Sequence, residues 1–116
     1  MAQLKNFITG FDMSDAPASA PLADAFGEVI TVPDAGKVHV QIEADFTNSD
    51  TLVFPLISAD GVNFTAIYKA GVRIEVPIDS AVKAFILKDL VPGSSMKLGM
   101  DYGGQDSGTL TIKYAG

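Results

Sequence analysis

The chain has 116 residues, which is the length of one domain, and 47% of them are hydrophobic, as in globular proteins. Eight basic and 14 acidic residues leave a net charge of −6, and the basic residues are scattered singly, which argues against nucleic acid or anionic membranes as partners. The absence of cysteine excludes disulfides and thiolate metal sites. No apolar run is long enough for a signal peptide or a membrane span, so we expect a protein that folds in a cytoplasm.

Residues 1–27 predict an N-terminal arm. The stretch 12–26, DMSDAPASAPLADAF, is rich in Ala, Pro, Ser and Asp, and its two prolines favour extended backbone at the residues before them. We therefore expect an arm or long loop rather than a strand, with one helical turn at 22–26 as an alternative. The preceding LKNFITGF fits either a short first strand or a hydrophobic anchor.

Five apolar residues along this arm are candidates for contact with a partner: Leu4, Phe7, Phe11, Leu22 and Phe26. An extended arm becomes ordered when many such contacts offset the entropic cost of ordering it. The alternative is that the arm packs along the edge of its own domain.

From residue 28 onward the sequence alternates with a period of two. The run 38–46, VHVQIEADF, places apolar residues on one face and polar residues on the other, which predicts a half-buried strand. A turn is expected at 47–50, TNSD, followed by a strand whose face carries Leu52, Phe54 and Leu56. Pro55 cannot donate a backbone hydrogen bond, so we expect it at an edge or a bulge.

The stretch 58–71, SADGVNFTAIYKAG, predicts a hairpin. Asp60-Gly61 supplies the positive φ that a tight turn requires, and alternation resumes at Phe64. The second strand is expected to end at Ala70-Gly71.

The rest of the chain continues the β pattern, with alternation over 72–79 and a turn at 91–95. The run 81–90, AVKAFILKDL, fits two helical turns, but its β-branched and aromatic residues favour a strand. Inward faces are expected in 96–102 and 109–116, joined by a glycine-rich hairpin loop. About eight short strands predict an all-β antiparallel sandwich of the jelly-roll type over 28–116, preceded by the arm.

Few residues are candidates for catalysis or for ligand binding. His39 is the one imidazole and lies on the polar face of its strand, where a surface position is expected. Glu43 and Asp45 share a strand face about 7 Å apart, which favours two solvated carboxylates over an acid–base pair. We predict no catalytic site, no cofactor and no metal site. One alternative is a calcium site formed by three loop residues: Asp101, Asp106 and Ser107. Another is the stacking of a sugar on the three tyrosines: Tyr68, Tyr102 and Tyr114.

The runs VHVQIEADF, LVFPLISADGVNFTAIYKAG, FILKDLVPGSSMKLGM and GTLTIKYAG resemble small virion proteins of tailed bacteriophages. In those proteins a strand ending in S-x-DG-x-x-F leads into a hairpin, and a later G-T-L-T-I/V strand closes the domain. The resemblance covers about residues 36–116 and implies a capsid decoration (cement) protein that sits on the outside of the head and braces adjacent capsomers. It implies the major capsid protein as partner and a homo-oligomer, of which a trimer is one arrangement.

A binding module is the alternative function. Similar DG-x-x-F/W hairpins occur in sugar-binding and tail-fibre sandwiches, so a carbohydrate- or receptor-binding domain of a tail fibre or adhesion device fits the same motifs. A small hydrolase using the Glu43 and Asp45 face is a third class, and it predicts a concave acidic pocket there.

Overall fold

The computed structural model of the chain describes residues 5–15, 22–105 and 107–115, and at 5–9, 15 and 22–28 it describes the backbone alone. These residues form β-strands, a single 3₁₀ turn at Met13–Asp15 and no α-helix. The strands are β1 (Lys5–Asp12), β2 (Leu22–Thr31), β3 (Val38–Ala44), β4 (Asn48–Ser58), β5 (Thr65–Ala66), β6 (Tyr68–Lys69), β7 (Val72–Arg73), β8 (Val76–Ile78), β9 (Val82–Leu87), β10 (Ser95–Asp101) and β11 (Thr109–Ala115).

The strands pair as one long hairpin rolled into two sheets. β1 pairs with β11, β2 with β10, β3 with β9, and β4 with the short β5 and β8, all in antiparallel fashion. Sheet A has the order β1-β11-β3-β9, and sheet B has the order β2-β10-β4-β5, with β8 also on β4; β6 and β7 form a separate hairpin. This interleaving is the jelly-roll topology, so the predicted all-β antiparallel sandwich is confirmed.

The core lies between the two sheets. Sheet A contributes the buried alternate residues of β3 and β11, and sheet B contributes those of β10: Val38, Val40, Ile42, Leu110, Ile112, Met96, Leu98 and Met100. The inward faces predicted for 38–46, 96–102 and 109–116 are therefore confirmed for these residues. Because successive side chains of a strand point to opposite faces, each of these strands leaves its intervening residues outside the core.

β4 differs from the other strands because both of its faces are buried. Val53 belongs to the core, whereas Phe54 and Leu56 lie on the outer face of sheet B and are still only 2% and 8% exposed. The predicted face shared by Leu52, Phe54 and Leu56 is therefore the outer one. Pro55 lies opposite Leu98 in unbroken register with β10, and on its other side it falls between the residues that pair with β8 and those that pair with β5. β4 is an inner strand of sheet B, so Pro55 lies at a gap between neighbouring strands rather than at the predicted edge or bulge.

The N-terminal segment belongs to the sheets. β1 pairs with the last strand, β11, and β2 pairs with β10, so the interpretation of 22–26 as a loop or helical turn is wrong. Residue 27, the predicted domain boundary, lies within β2. Propensity disfavoured a strand here because of the Ala- and Asp-rich composition, and pairing with β10, which carries the buried Met96, Leu98 and Met100, outweighed it.

Other boundaries differ from the prediction in three places. The turn expected at 47–50 lies at 45–47, and β4 already begins at Asn48. The loop before β11 connects sheet B to sheet A, so it is a crossover rather than a hairpin. The run 72–79 is divided into β7 and β8, with Val72 exposed and Val76 buried.

Two expectations in the second half of the chain are confirmed. Residues 82–87 form β9, a strand rather than a helix. β4 and β5 form the predicted hairpin after Ser58, but its second strand ends at Ala66 and not at Ala70-Gly71. The strand that ends before Ala70-Gly71 is β6, which pairs with β7.

The core assignment predicts unequal effects of truncating side chains. Leu98→Ala should lower the free energy of unfolding by about 2–5 kcal/mol, because it leaves a cavity between the sheets. Val91→Ala, at a 68% exposed turn residue, should change it by no more than about 0.5 kcal/mol. Urea unfolding followed by circular dichroism measures both, and equal effects would contradict the assignment.

The pairing of the N-terminal strands predicts the outcome of truncation. A chain lacking residues 1–26 loses β1 and half of β2, which leaves long edges of β10 and β11 unpaired. We expect this chain to be unfolded or aggregated in size-exclusion chromatography and circular dichroism. A truncated chain that unfolds cooperatively with the stability of the full chain would show that residues 1–26 are an accessory arm.

Candidate functional site

The β6–β7 hairpin lies between two concave surfaces, which are the strongest candidates for a functional site among the described residues. One, the outer-face groove, lies on the outer face of sheet B and has a volume of about 610 Å³. The other, the open-side groove, lies between the hairpin and β9 and has a volume of about 440 Å³. Both volumes are in the range of small-molecule sites in proteins.

Local sequence determines the shape of the hairpin. Lys69 pairs with Val72 across the turn, and Ala70 and Gly71 both have positive φ, at 54° and 80°. Two consecutive residues of this conformation make the turn that matches the twist of two-residue hairpins. Below the turn, the Ile74 amide donates a hydrogen bond of 2.8 Å to the Ile67 carbonyl.

Arg73, the single arginine in the chain, attaches the hairpin to the outer face of sheet B. Its guanidinium lies 4.0 Å from the centre of the Phe54 ring, and its Nη2 lies 2.6 Å from Asp101 and 2.7 Å from Glu75. Burial alone would lower the pKa of Arg73, but the bonds to Asp101 and Glu75 outweigh burial and raise it. Arg73 therefore covers Phe54 and fixes the hairpin beside β10.

The loop before β5 is organised by one carboxylate. Asp60 accepts hydrogen bonds from the Ser58 hydroxyl, from the Val62 and Asn63 amides and from the Asn63 side chain, at 2.8–2.9 Å. Gly61 follows with a φ of 76°, as the predicted turn requires. These hydrogen bonds, above all those from the Asn63 and Val62 amides, hold the pKa of Asp60 far below its ordinary value.

This loop forms one wall of the outer-face groove. Phe64 projects from it, and the Lys97 ammonium lies 4.2 Å from the centre of the Phe64 ring. Tyr68 and Arg73 contribute from the hairpin, and Leu56 contributes from β4. The groove therefore combines aromatic rings with two cations, and none of the described residues that line it is acidic.

The open-side groove is mainly apolar. One wall comes from residues 85–90 of β9 and the turn after it, and the other from Ile67, Tyr68 and Ile74. The opposite side of the sandwich is different, because there the edge strands β1 and β2 contact each other. The jelly roll is thus closed along one side and grooved along the other.

Glu43 and Asp45 have different partners. Glu43 lies 2.9 Å from Lys113, and this bond, with a second from Gln41, holds the pKa of Glu43 below its ordinary value. Asp45 lies past the end of β3 and accepts bonds from the amide and hydroxyl of Thr109 at 2.7 and 3.1 Å. Each carboxylate stabilises a neighbouring strand, and neither is a partner of the other.

The remaining candidates are dispersed. His39 is exposed on the outer face of sheet A, opposite Ile86. Asp101 is paired with Arg73, Asp106 lies outside the described residues, and the described part of the chain holds no group of three potential metal ligands.

The three tyrosines have different environments. Tyr68 is 64% exposed at the rim of both grooves. Tyr102 is buried, which raises its pKa, and Tyr114 packs against the core. Of the three, Tyr68 therefore presents a ring to solvent.

The five predicted partner-binding residues are only partly described. Phe11 is half-buried against the core, in agreement with the alternative that this segment packs on its own domain. Leu4 lies outside the described residues, and Phe7, Leu22 and Phe26 lie in β1 and β2 without described side chains. Their contact with a partner stays a prediction.

Sequence reasoning missed Arg73, Phe64 and Lys97 as members of one site. The signal for Lys97 is a charge within the otherwise apolar MKLGM of β10. Arg73 and Phe64 come together only because the hairpin folds back over β4, and no local pattern encodes that contact.

Comparison with known proteins adds no relative. No family model matches the chain, and no curated protein and no solved structure is similar to it. Within the described residues, no helix has the length and apolarity to cross a membrane.

The environment of Asp60 predicts how stability depends on pH. A carboxylate whose pKa is depressed by folding contributes stability above its unfolded pKa of about 3.9 and loses it as the pH falls toward its folded value. At pH 6 the free energy of unfolding of the unchanged protein should therefore be larger than that of Asp60→Asn. The difference between the two should shrink progressively below about pH 4. Urea unfolding of both chains from pH 6 to pH 2 measures it, and a difference that grows toward low pH would contradict the account.

Proposed function

We propose that the protein is a non-enzymatic structural protein of a tailed-bacteriophage virion, a capsid decoration protein that binds the outside of the head and stabilises adjacent capsomers. The observation that carries this proposal is the grooved side of the jelly roll, where an edge strand and a protruding hairpin present exposed apolar side chains. The phage context comes from the resemblance of the strand ends and turns to small virion proteins.

The edge strand β9 supplies the first support. It pairs with β3 alone among the described strands, so one row of its backbone groups is open to pairing. Val82 and Ile86 on its outward face are 61% and 58% exposed. An exposed apolar edge strand is typical of a surface that contacts another protein, since natural monomers normally protect such edges.

The open-side groove supplies the second support. Its apolar walls include Ile67, Ile74 and Phe85, which a side chain from a partner would cover on binding. Burial of this surface contributes about 25 cal/mol per Å² of apolar area. Each copy then needs only modest affinity, because neighbouring copies on a lattice raise the effective concentration.

The fold and the charge agree with this role without deciding it. Jelly rolls occur in viral capsid domains and also in lectins, so the fold alone does not separate the two functions. A net charge of −6 favours a basic protein surface over nucleic acid or an anionic membrane. We infer the major capsid protein and further copies of this chain as partners, on the capsid exterior of a virus assembled in the host cytoplasm.

The experiment uses virus heads assembled without this protein, to which the purified chain is added. We expect saturable density on the outer surface in electron microscopy and a higher temperature of head rupture. Ile86→Glu should reduce occupancy by about tenfold or more at a fixed concentration, because it places a charge in an apolar contact.

Val29→Glu is the matched control, since Val29 is 54% exposed on β2, an edge strand of sheet B on the closed side of the jelly roll. It should decorate heads as the unchanged chain does. Heads that never acquire the protein would refute the proposed function, and equal loss in both variants would refute the assignment of the surface.

A further inference from the structure

The outer-face groove has features that capsid decoration does not explain. It lies on the other side of the β6–β7 hairpin from the open-side groove and shares only Tyr68 with it among the described residues. It combines a buried aromatic floor, an exposed tyrosine and two cations in a chain whose net charge is −6. We propose that this groove binds a carboxylated sugar ring, such as a hexuronic acid unit of an acidic polysaccharide.

The groove holds one cation without an acidic partner among the described residues, although the molecule as a whole is acidic, because Glu75 and Asp101 compensate Arg73 but not Lys97. Lys97 and Arg73 line it, and no described lining residue is acidic. The Lys97 ammonium lies over the Phe64 ring and forms no ion pair with any described residue. A carboxylate entering the groove would therefore be the partner that Lys97 lacks.

Arg73 also lines the groove and retains one donor group. Its Nε and Nη2 bond to Glu75 and Asp101, whereas no bond between Nη1 and a described residue is formed. Arg73 lies over Phe54, which faces Gly99 in β10, two positions from Lys97. Gly99 and Lys97 are about 7 Å apart along the strand, so the two cations lie over neighbouring parts of the groove. Lys97 would pair with the carboxylate of the sugar, and Arg73 Nη1 would donate to a hydroxyl group of the same ring.

The aromatic rings explain why the ligand is a sugar rather than a simple anion. Tyr68 is 64% exposed, so it offers a flat apolar face with a polar end at the mouth of the groove. The C–H face of a pyranose packs on such a ring, and its hydroxyls meet the Thr65 and Asn63 side chains, which also line the groove. A volume of about 610 Å³ accommodates a ring of this size with water around it.

The probes are a short oligomer of galacturonic acid, the corresponding neutral galactose oligomer and a glutamate peptide of equal charge. Calorimetry and protein NMR with the full chain should show saturable binding of the acidic sugar, at roughly millimolar affinity for one ring. The neutral sugar and the peptide should each bind at least about tenfold more weakly, since each lacks one of the two contacts.

Lys97→Gln should weaken binding of the acidic sugar by about tenfold, and Tyr68→Ala by about threefold or more. Lys37→Gln removes an exposed lysine outside the groove and should leave binding within about twofold. Absence of binding at high millimolar concentration, equal binding of the neutral sugar or of the peptide, or insensitivity to Lys97→Gln would each overturn the proposal. None of these outcomes depends on whether the protein decorates virus heads, because Ile86 lies outside this groove.

Discussion

The structure depends on the burial of alternate side chains between two sheets. Neither sheet can remove its own apolar face from water, so each needs the other to cover it. Val40 and Ile42 in sheet A and Met96 and Leu98 in sheet B are 0–1% exposed, and each lies on a strand whose next residue points the other way. Such a sheet is stable only when a second sheet covers its apolar face. The rolled hairpin provides that cover, and it does so with strands from both ends of the chain.

This closure determines where interaction surfaces can exist. On one side the edge strands β1 and β2 contact each other, so the two sheets meet there. On the other side the chain between β4 and β9 is broken into four short strands, which cover the core less completely. Both grooves are found in this region, one on each side of the β6–β7 hairpin.

The two burial patterns on β4 explain the position of the outer-face groove. Val53 faces the core, but Phe54 on the other face must also be covered, and Arg73 covers it. The pairing of Arg73 with Asp101 and Glu75 compensates its charge at a partly buried position. The hairpin is thereby fixed to the outer face of sheet B, and the outer-face groove lies between it and Phe64.

Much of the fold was predictable because strands with one buried face carry a period of two. The inward residues of 38–46, 96–102 and 109–116 follow directly from this alternation. Residues 22–26 escaped prediction because their composition is that of a loop, and only the pairing of β2 with β10 makes them part of a strand. For β4 the pattern is ambiguous in principle, since a strand buried on both faces has no alternation to read.

The candidate site was less accessible to sequence reasoning than the fold. The Asp60-Gly61 turn was predicted from local chemistry, because an aspartate at that position accepts bonds from the amides that follow. The contacts of Arg73 with Phe54 and of Lys97 with Phe64 join residues 19 and 33 positions apart. Such contacts depend on the path of the chain between β4 and β10, which propensities and periodicity do not specify.

The central claim is that the first described strand and the last pair in one sheet, so that the whole chain forms a single jelly roll. Nuclear Overhauser effects between backbone protons test it most directly. The account predicts cross-strand contacts of β11 with both neighbours, at Asn6–Lys113 and Ile8–Ile112 on one side and at Ile42–Ile112 on the other. Contacts to β3 without any to residues 5–12, together with rapid amide exchange along the free side of β11, would contradict it.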